Sequence, residues 1–197
     1  MLTYQVSRRR TGRARADMRI LLSEADLKRG VGRLAAEIDG RYGDSPLTVI
    51  AVMTGSLVLF ADLIRRLSMP QRVGVIHASS YRGGTTSGTL RVDAGMLIDV
   101  RGRDVLLVDD IFDTGRTLTR LTAEIRGQGA RTVRSAVLLR KRREPLGEDR
   151  PDFVAFEIPD EFVVGYGLDY HDMYRNLPYL AVLEPAEIAA TPAESGS

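Results

Sequence analysis

Five oxygen-bearing side chains fall within nine residues of the sequence, between Asp109 and Thr117. Asp109 and Asp110 are an adjacent pair of carboxylates, a third carboxylate follows at Asp113, and residues 114–117 read Thr-Gly-Arg-Thr. This last stretch offers two hydroxyls, a permissive glycine and successive backbone N–H groups, which suit an anion at the start of a helix. An acidic pair beside an anion-binding loop predicts a substrate that is both a polyol and a phosphate ester. A phosphorylated ribose is one such molecule.

The elements on either side of this segment would hold it at one edge of a sheet. Residues 105–108 are an unbroken apolar run, typical of a strand buried on both faces of a parallel sheet. We expect this strand to end at Asp109, with both Asp109 and Asp110 outside the core at the carboxyl end, where open α/β sheets bind ligands. Apolar side chains at helical spacing follow the loop: Leu118, Leu121 and Ile125. The positive end of that helix would point at whatever the loop binds.

The remaining pattern is that of an α/β protein. It predicts strands at residues 20–22, 48–53, 73–78 and 132–139, a hairpin at residues 89–92 and 96–100, and a helix at residues 57–67. Ser23 and Asp26 form a capping box that opens another helix, which runs to about residue 41. Residues 30–35, GVGRLA, match a dinucleotide-binding pattern. We reject that function because they lie inside this helix with no strand before them.

Composition limits the possible chemistry. The chain of 197 residues is 44% hydrophobic, has no cysteine and has only two histidines, which excludes thiol catalysis, disulfides and zinc sites of the usual kind. Any metal would be held by oxygen ligands, and the metal used with such ligands and substrate phosphates is Mg²⁺. The sequence contains neither an apolar run near 18 residues nor a secretory leader, so we expect a cytoplasmic protein without a membrane partner.

Charge divides the chain into three parts. Residues 1–19 carry six arginines and one acid, and residues 184–197 carry three glutamates and no base. These tails contribute +5 and −3 to the formal net charge of +2, so residues 20–183 carry none. We expect a single domain at residues 20–183, between a disordered Arg-rich arm at residues 1–19 and a flexible acidic tail at residues 184–197.

The segment around Asp113, in which a strand ending in two acids runs into an Asp-Thr-Gly-x-Thr loop, resembles the signature of the purine and pyrimidine phosphoribosyltransferases. The resemblance implies an α/β fold of the type I phosphoribosyltransferase class, with a mainly parallel central sheet flanked by helices, a small hood and a flexible lid loop. It implies that Asp109 and Asp110 hold the ribose hydroxyls, directly or through Mg²⁺. Asp113 would face the reacting base. The 5′-phosphate would be bound by Thr114, Gly115, Arg116 and Thr117.

Residues 151–183, PDFVAFEIPDEFVVGYGLDYHDMYRNLPYLAVL, closely resemble the base-recognition region of hypoxanthine phosphoribosyltransferases. By this resemblance Phe162 would stack on the purine and Val163 would offer backbone groups to its pyrimidine edge. Asp169 would bind Mg²⁺, and Arg175 would reach the pyrophosphate. Lys141, one of two lysines in the chain, would donate to the 6-oxo group of the purine.

Two further loops fit the same family. Thr54 and Gly55 follow the strand at residues 48–53 and match the loop that binds pyrophosphate through its backbone, although the family often carries a basic residue where this chain has Thr54. Ser80 and Tyr81 match the dipeptide that closes over the active site, and they precede a polar run at residues 82–88 that could form the lid.

The resemblance implies a purine salvage enzyme that joins hypoxanthine, and guanine as well, to 5-phosphoribosyl 1-pyrophosphate. A homodimer or homotetramer would be its assembly. An RNA-binding regulator built on the same fold is the alternative, favoured by the Arg-rich start but opposed by the uncharged body and by Asp113, Lys141 and Phe162. An adenine-specific transferase conflicts with Lys141, because an ammonium cannot accept a hydrogen bond from a 6-amino group.

Overall fold

The computed structural model describes residues 18–79, 91–92, 98–142 and 150–184. Within these ranges the chain forms three helices and nine strands. The helices are α1 (Glu24–Tyr42), α2 (Leu57–Ile64) and α3 (Arg116–Gly127). The strands are β1 (Arg19–Leu22), β2 (Leu47–Met53), β3 (Gln71–Ser79), β4 (Arg91–Val92), β5 (Asp104–Phe112), β6 (Thr132–Lys141), β7 (Phe153–Ile158), β8 (Val163–Val164) and β9 (Leu180–Val182).

A six-stranded sheet in the order β4-β3-β2-β5-β6-β7 forms the centre of the fold. Five of these strands are mutually parallel, namely β3, β2, β5, β6 and β7, and the short β4 pairs with β3 in the antiparallel sense. Helices α1 and α2 contribute to the core on one face, and α3 contributes to the core on the other. The mainly parallel sheet flanked by helices is therefore confirmed. All five parallel strands end at the same edge, which places the loops after β2 and β5 side by side.

A second, three-stranded antiparallel sheet, in the order β1-β9-β8, forms the hood. Its strands come from opposite ends of the described chain, because β1 precedes α1 and β9 lies near residue 184. Val163 and Val182 of this sheet pack into the same core cluster as α1. The hood is thereby fixed to the central sheet beside the edge at which the parallel strands end.

Helix α1 begins where the sequence predicts, and its packing explains Gly30 of the GVGRLA segment. The Ser23 hydroxyl accepts a hydrogen bond from the Asp26 N–H at 3.2 Å, and Asp26 Oδ2 accepts one from the Ser23 N–H at 3.1 Å. A Cβ at Gly30 would lie 2.0 Å from a ring carbon of Phe156 in β7. Gly30 therefore lets α1 pack closely on β7, and the segment is a packing feature of a helix.

Three predicted boundaries are wrong. Strand β5 continues through Asp109 to Phe112, because β6 runs beside it as far as the pair Phe112 and Arg140. Helix α2 ends at Ile64 and not at the predicted Leu67. Leu67 is buried, so the apolar residue there packs into the core although it lies beyond the end of the helix. Residues 98–100 are not a strand, because β4 pairs with β3 instead.

None of the described helices combines the length and the apolar composition that crossing a membrane would require.

Candidate active site

A cavity of about 770 Å³ opens at the carboxyl ends of β2 and β5. It collects most of the predicted sugar, phosphate and metal residues in one place. These are Gly55, Asp109, Asp110, Asp113, Thr114, Gly115, Arg116, Thr117 and Asp169. The cavity is completed by Val52, Met53, Ile111, Phe112 and Leu118.

The loop between β5 and α3 forms one wall of the cavity. Gly115 has φ 78°, in the left-handed region that glycine adopts without strain, and α3 begins at the next residue. No side chain caps this helix, whose first turn lines the cavity with Arg116, Thr117 and Leu118. The positive end of the helix dipole and the two threonines of the loop therefore face the cavity, an arrangement that suits a phosphate group.

The acidic pair forms the floor of the cavity. Asp109 is buried, which corrects the expectation that both carboxylates stand outside the core, and its Oδ1 accepts a hydrogen bond from the Asp110 N–H at 2.9 Å. Burial, followed by the neighbouring Asp110 carboxylate, raises the pKa of Asp109 well above its ordinary value. Burial likewise raises the pKa of Asp110. Two adjacent carboxylates with raised pKa values favour a cation or hydroxyl donors beside them.

The loop after β2 rests directly on this pair. A Cβ at Gly55 would lie 1.7 Å from Asp110 Oδ2, so a larger residue there would displace the loop backbone or the carboxylate. A Cβ at Gly167 would in turn lie 2.3 Å from the Gly55 carbonyl oxygen. Asp110, Gly55 and Gly167 are thus stacked in close contact, and we call this stack the glycine column. It connects the end of β5 to the loop after β8.

The loop after β8 brings Asp169 and Arg175 together beside the column. Arg175 Nη2 lies 2.8 Å from Asp169 Oδ1 and 3.1 Å from Asp172 Oδ1, and Nη1 donates to the Gly167 carbonyl at 2.9 Å. The positive charge of Arg175 also acts to lower the pKa of Asp110, against the larger effect of burial. Asp169 lines the cavity, whereas Arg175 is not among the described residues that line it.

The residues predicted to recognise the base lie at the ends of β6 and β8. Lys141 ends β6, and its Nζ lies 3.3 Å from Asp160 Oδ1 with only 12% of the side chain exposed. Phe162 is 41% exposed, and its ring meets that of Tyr170 edge to face at 5.4 Å. None of these side chains is among the described residues that line the cavity.

Val163 lies in β8, at an edge of the hood sheet. It stands opposite Val182 of β9, and the neighbouring Leu183 N–H donates to the Phe162 carbonyl at 2.9 Å. Because bonded and non-bonded pairs alternate in an antiparallel ladder, the N–H and C=O groups of Val163 point away from β9. This orientation is the one that the predicted contact with a base edge requires.

Some of the residues predicted for the site do not line the cavity or lie outside the described residues, and the predicted metal ligands do not form a complete site by themselves. Thr54 is exposed, follows a cis peptide bond from Met53, and does not line the cavity as described. Ser80, Tyr81, the lid run at residues 82–88 and most of both tails lie outside the described residues. No three carboxylate or imidazole groups among the described residues form a ready-made metal cluster. Asp109, Asp110 and Asp169 line one cavity without completing a coordination sphere of their own.

Reasoning from the sequence missed three residues near the site. Asp160 contacts Lys141, and the Tyr166 hydroxyl donates to Asp62 Oδ2 at 2.6 Å. The sequence offered one relevant signal, because Tyr166 stands between two glycines, a pattern typical of a turn with positive φ. Their partners are far away in sequence, and hydrophobic periodicity carries no information about such pairs.

Comparison with known proteins gives consistent matches. A family model described as a phosphoribosyl transferase domain matches residues 19–171. The hypoxanthine-guanine phosphoribosyltransferase of Bacillus subtilis (strain 168) is 39% identical over 169 residues, which cover 85% of this chain and 94% of that protein. The corresponding enzyme of Aquifex aeolicus (strain VF5) is 37% identical, with coverage of 85% and 95%.

Solved structures agree with the sequence matches. The crystal structure of a hypoxanthine phosphoribosyltransferase from Staphylococcus aureus aligns with a TM-score of 0.82 and 33% identity, over 90% of this chain and 98% of that one. These relatives give no support to the alternative of an RNA-binding regulator.

Proposed function

The chain belongs to the hypoxanthine-guanine phosphoribosyltransferase family, and from this membership we propose that it transfers a phosphoribosyl group from 5-phosphoribosyl 1-pyrophosphate to a 6-oxopurine in purine salvage. The products are a purine nucleoside 5′-monophosphate and pyrophosphate. The observation that carries the proposal is the single cavity that joins the acidic pair to the loop at the start of α3. Steady-state rates with hypoxanthine, guanine, xanthine and adenine test the proposal. If the protein turns over neither hypoxanthine nor guanine, the proposal is contradicted.

The phosphoribosyl group is proposed to lie along the cavity. Its 5′-phosphate binds the backbone and hydroxyls at the start of α3, through Thr114, Gly115, Arg116 and Thr117. Its ribose hydroxyls approach Asp109 and Asp110 on the floor. The buried position of Asp109 supports this arrangement, because a buried carboxylate with a raised pKa is stabilised by hydroxyl donors or a cation.

The donor set fits Mg²⁺ bound together with the substrate. Asp109, Asp110 and Asp169 supply only oxygen ligands and form no complete cage, and Mg²⁺ usually keeps several ligands from water and substrate phosphates. We propose that these three carboxylates hold it. When bound, the ion supplies positive charge that stabilises the departing pyrophosphate.

The reaction breaks the bond between the anomeric carbon and the pyrophosphate oxygen and forms a bond from that carbon to a purine nitrogen. Positive charge develops on the ribose ring as the pyrophosphate leaves, and the purine gives up a proton. Asp113 is exposed at the cavity wall, on the loop that follows the acidic pair. We propose that its carboxylate takes or holds the proton at purine N7.

Recognition of the base is proposed to use the ends of β6 and β8. Lys141 donates to the 6-oxo group, Phe162 stacks on the ring, and the outward-facing backbone of Val163 meets the pyrimidine edge. Asp160, 3.3 Å from the Lys141 ammonium, holds that ammonium in place. A charged donor here selects an oxo group over an amino group.

The pyrophosphate is proposed to bind between two loops. The backbone of Thr54 and Gly55 contributes N–H donors on one side, and Arg175 contributes positive charge on the other. Ser80 and Tyr81 would close the site as part of a lid. Thr54 replaces the basic side chain that the family often has at this position, so this chain relies more on backbone donors and on Arg175.

Assembly as a homodimer or homotetramer is part of the proposal. Leu57, Val73 and Val75 are about half exposed, and contact with a second copy would bury such apolar side chains. Light scattering coupled to size-exclusion chromatography would give the mass of the assembly, and a monomeric mass would contradict it.

A further inference from the structure

The loop after β8 is tied to α2 by a partly buried hydrogen bond. The Tyr166 hydroxyl donates to Asp62 Oδ2 at 2.6 Å, and Tyr166 is only 6% exposed. Burial, and then the bond to Asp62, raises the pKa of the Tyr166 hydroxyl, which therefore remains a donor throughout the physiological range. Asp62 also pairs with Arg65 and lies 3.7 Å from Arg66, so its carboxylate is held from both sides.

Each end of this hydrogen bond leads to a part of the pyrophosphate site. Asp62 lies on α2, the helix that begins directly after the loop at residues 54–56. Tyr166 immediately precedes Gly167, whose backbone rests on the Gly55 carbonyl in the glycine column. The hydrogen bond therefore completes a closed set of contacts, which runs from Asp62 along α2 to Gly55, from Gly55 to Gly167, and from Gly167 to Tyr166.

The backbone around Tyr166 requires such support. Tyr166 has φ 49°, in a region that L residues rarely adopt, and it stands between Gly165 and Gly167 at φ 100° and 102°. Residues held in this region cost free energy unless the surrounding structure fixes them. The Gly167 carbonyl that follows accepts a hydrogen bond from Arg175 Nη1. A change at Tyr166 is thereby transmitted to Arg175, which contacts Asp169.

We propose that Tyr166 is a positioning residue, acting through its hydrogen bond to Asp62, that sets the spacing between the 54–56 loop and the Asp169–Arg175 pair and thereby controls binding of the pyrophosphate group. The inference rests on the proposed function, because it takes these two loops as the pyrophosphate site. Lys141 lies at the end of β6, and Phe162, although on the same segment as Tyr166, is held before β8 by a hydrogen bond from the Leu183 N–H to its carbonyl. Neither proposed contact with the purine passes through the bond between Tyr166 and Asp62.

The principal test is Tyr166→Phe, which keeps the ring and removes only the donor. We expect its KM for 5-phosphoribosyl 1-pyrophosphate to rise by roughly tenfold, since a displacement of about 1 Å can cost up to about 10²-fold. Its KM for hypoxanthine should stay within about twofold of the parent, because that contact is made elsewhere. The same rise should appear in the KM for pyrophosphate in the reverse reaction.

Variants of Asp62 separate the hydrogen bond from a general loss of stability. Asp62→Asn keeps an oxygen acceptor for the tyrosine and should stay close to the parent, whereas Asp62→Ala should match Tyr166→Phe. The double variant Tyr166→Phe, Asp62→Ala should be no worse than Asp62→Ala alone, because both changes remove one interaction. If Tyr166→Phe fails to fold, the comparison of Asp62→Asn with Asp62→Ala still tests the proposal.

Tyr42→Phe is the matched control. Tyr42 is buried to a similar degree in the same core cluster, and its hydroxyl makes no hydrogen bond of normal geometry to a described residue. It should leave both KM values unchanged. An unchanged KM for 5-phosphoribosyl 1-pyrophosphate in Tyr166→Phe, or an equal rise in Tyr42→Phe, would overturn the inference. If the parent protein turns over neither hypoxanthine nor guanine, the proposed function itself is contradicted instead.

Discussion

The backbone of Gly55 lies against the side chain of Asp110, so closely that an added Cβ would be 1.7 Å from Oδ2. The loop after β2 and the last residues of β5, which are far apart in sequence, are thereby fixed to each other. Because Asp110 shares its buried surroundings with Asp109, any shift of the Gly55 backbone also moves the floor of the cavity.

Gly55→Ala should therefore reduce kcat/KM by more than about 10²-fold, since the loop or the Asp110 side chain must move by an ångström or more. Steady-state kinetics with hypoxanthine would measure the loss. Gly32→Ala is the control, because a Cβ at Gly32 in α1 meets no atom within 4 Å. That control should keep its activity and gain about 0.5–1 kcal/mol of stability from the better helix former. Equal activity in both variants would contradict the structural argument.

Asp113→Asn should lower kcat by roughly 10²–10⁴-fold while binding of 5-phosphoribosyl 1-pyrophosphate is retained. The amide preserves the shape of the side chain and cannot accept the purine proton. Single-turnover kinetics would measure the chemical step, and titration calorimetry would measure binding. Unchanged turnover would remove Asp113 from the proposed role in proton transfer.

The pair formed by Asp104 and Arg131 predicts a pH dependence of stability. Arg131 Nε lies 3.0 Å from Asp104 Oδ1, Thr132 Oγ1 lies 2.7 Å from the same oxygen, and Asp104 is 9% exposed. The hydrogen bond from Arg131 is the main cause that lowers the pKa of Asp104 below its ordinary value of 3.8. Because the folded pKa is lowered, the contribution to stability is present above that ordinary value and is lost as the pH falls through the folded pKa.

Asp104→Asn should thus lower the free energy of unfolding by on the order of 1 kcal/mol at pH 7. The difference from the parent should shrink as the pH falls below about 4. Urea unfolding between pH 7 and pH 3 would measure it, with Asp44→Asn as an exposed control. A difference that does not change with pH would show that packing, rather than charge, is responsible.

The parts of the site that are local in sequence were predictable. The strand, loop and helix from β5 to α3 could be read from residues 105–125, because each periodicity and the glycine lie within one short segment. The burial of Asp109 was not predictable in this way. An aspartate usually ends an apolar strand, whereas here β6 continues alongside β5, and β5 runs three residues beyond Asp109 to Phe112.

Contacts between distant segments could not be derived from periodicity. Tyr166 and Asp62 are 104 residues apart, and the hydrophobic pattern that places each on its own element does not show that they meet. The same holds for Gly167 on Gly55 and for Asp160 on Lys141. Motif resemblance located the residues that are proposed to bind substrates, but the residues that hold them in place became visible only in three dimensions.

Asp169→Ala should raise the Mg²⁺ concentration needed for half-maximal activity, because a hard dication loses one oxygen ligand beside the pyrophosphate. A Mg²⁺ titration of the initial rate would measure the shift. Asp172→Ala is the control, since Asp172 also contacts Arg175 at 3.1 Å but is almost fully exposed and is not among the described residues that line the cavity. Identical titrations for Asp169→Ala and the parent would refute the assignment of Asp169.

Lys141→Gln should change base selectivity. Glutamine can donate to an oxo group and can also accept from an amino group, so the variant should lose efficiency with hypoxanthine while its discrimination against adenine narrows. An unpaired buried polar group costs about 1–3 kcal/mol. The ratio of kcat/KM for hypoxanthine to kcat/KM for adenine should therefore fall by on the order of tenfold.

Arg140→Gln is the matched control, because Arg140 is adjacent in β6 and pairs with Glu157. Successive side chains point to opposite faces of a strand, and this variant should leave the ratio unchanged. If kcat/KM for hypoxanthine and for adenine fall together in Lys141→Gln and their ratio stays constant, Lys141 stabilises the fold or binds a phosphate group instead of the purine. The base selectivity must then come from the backbone around Val163.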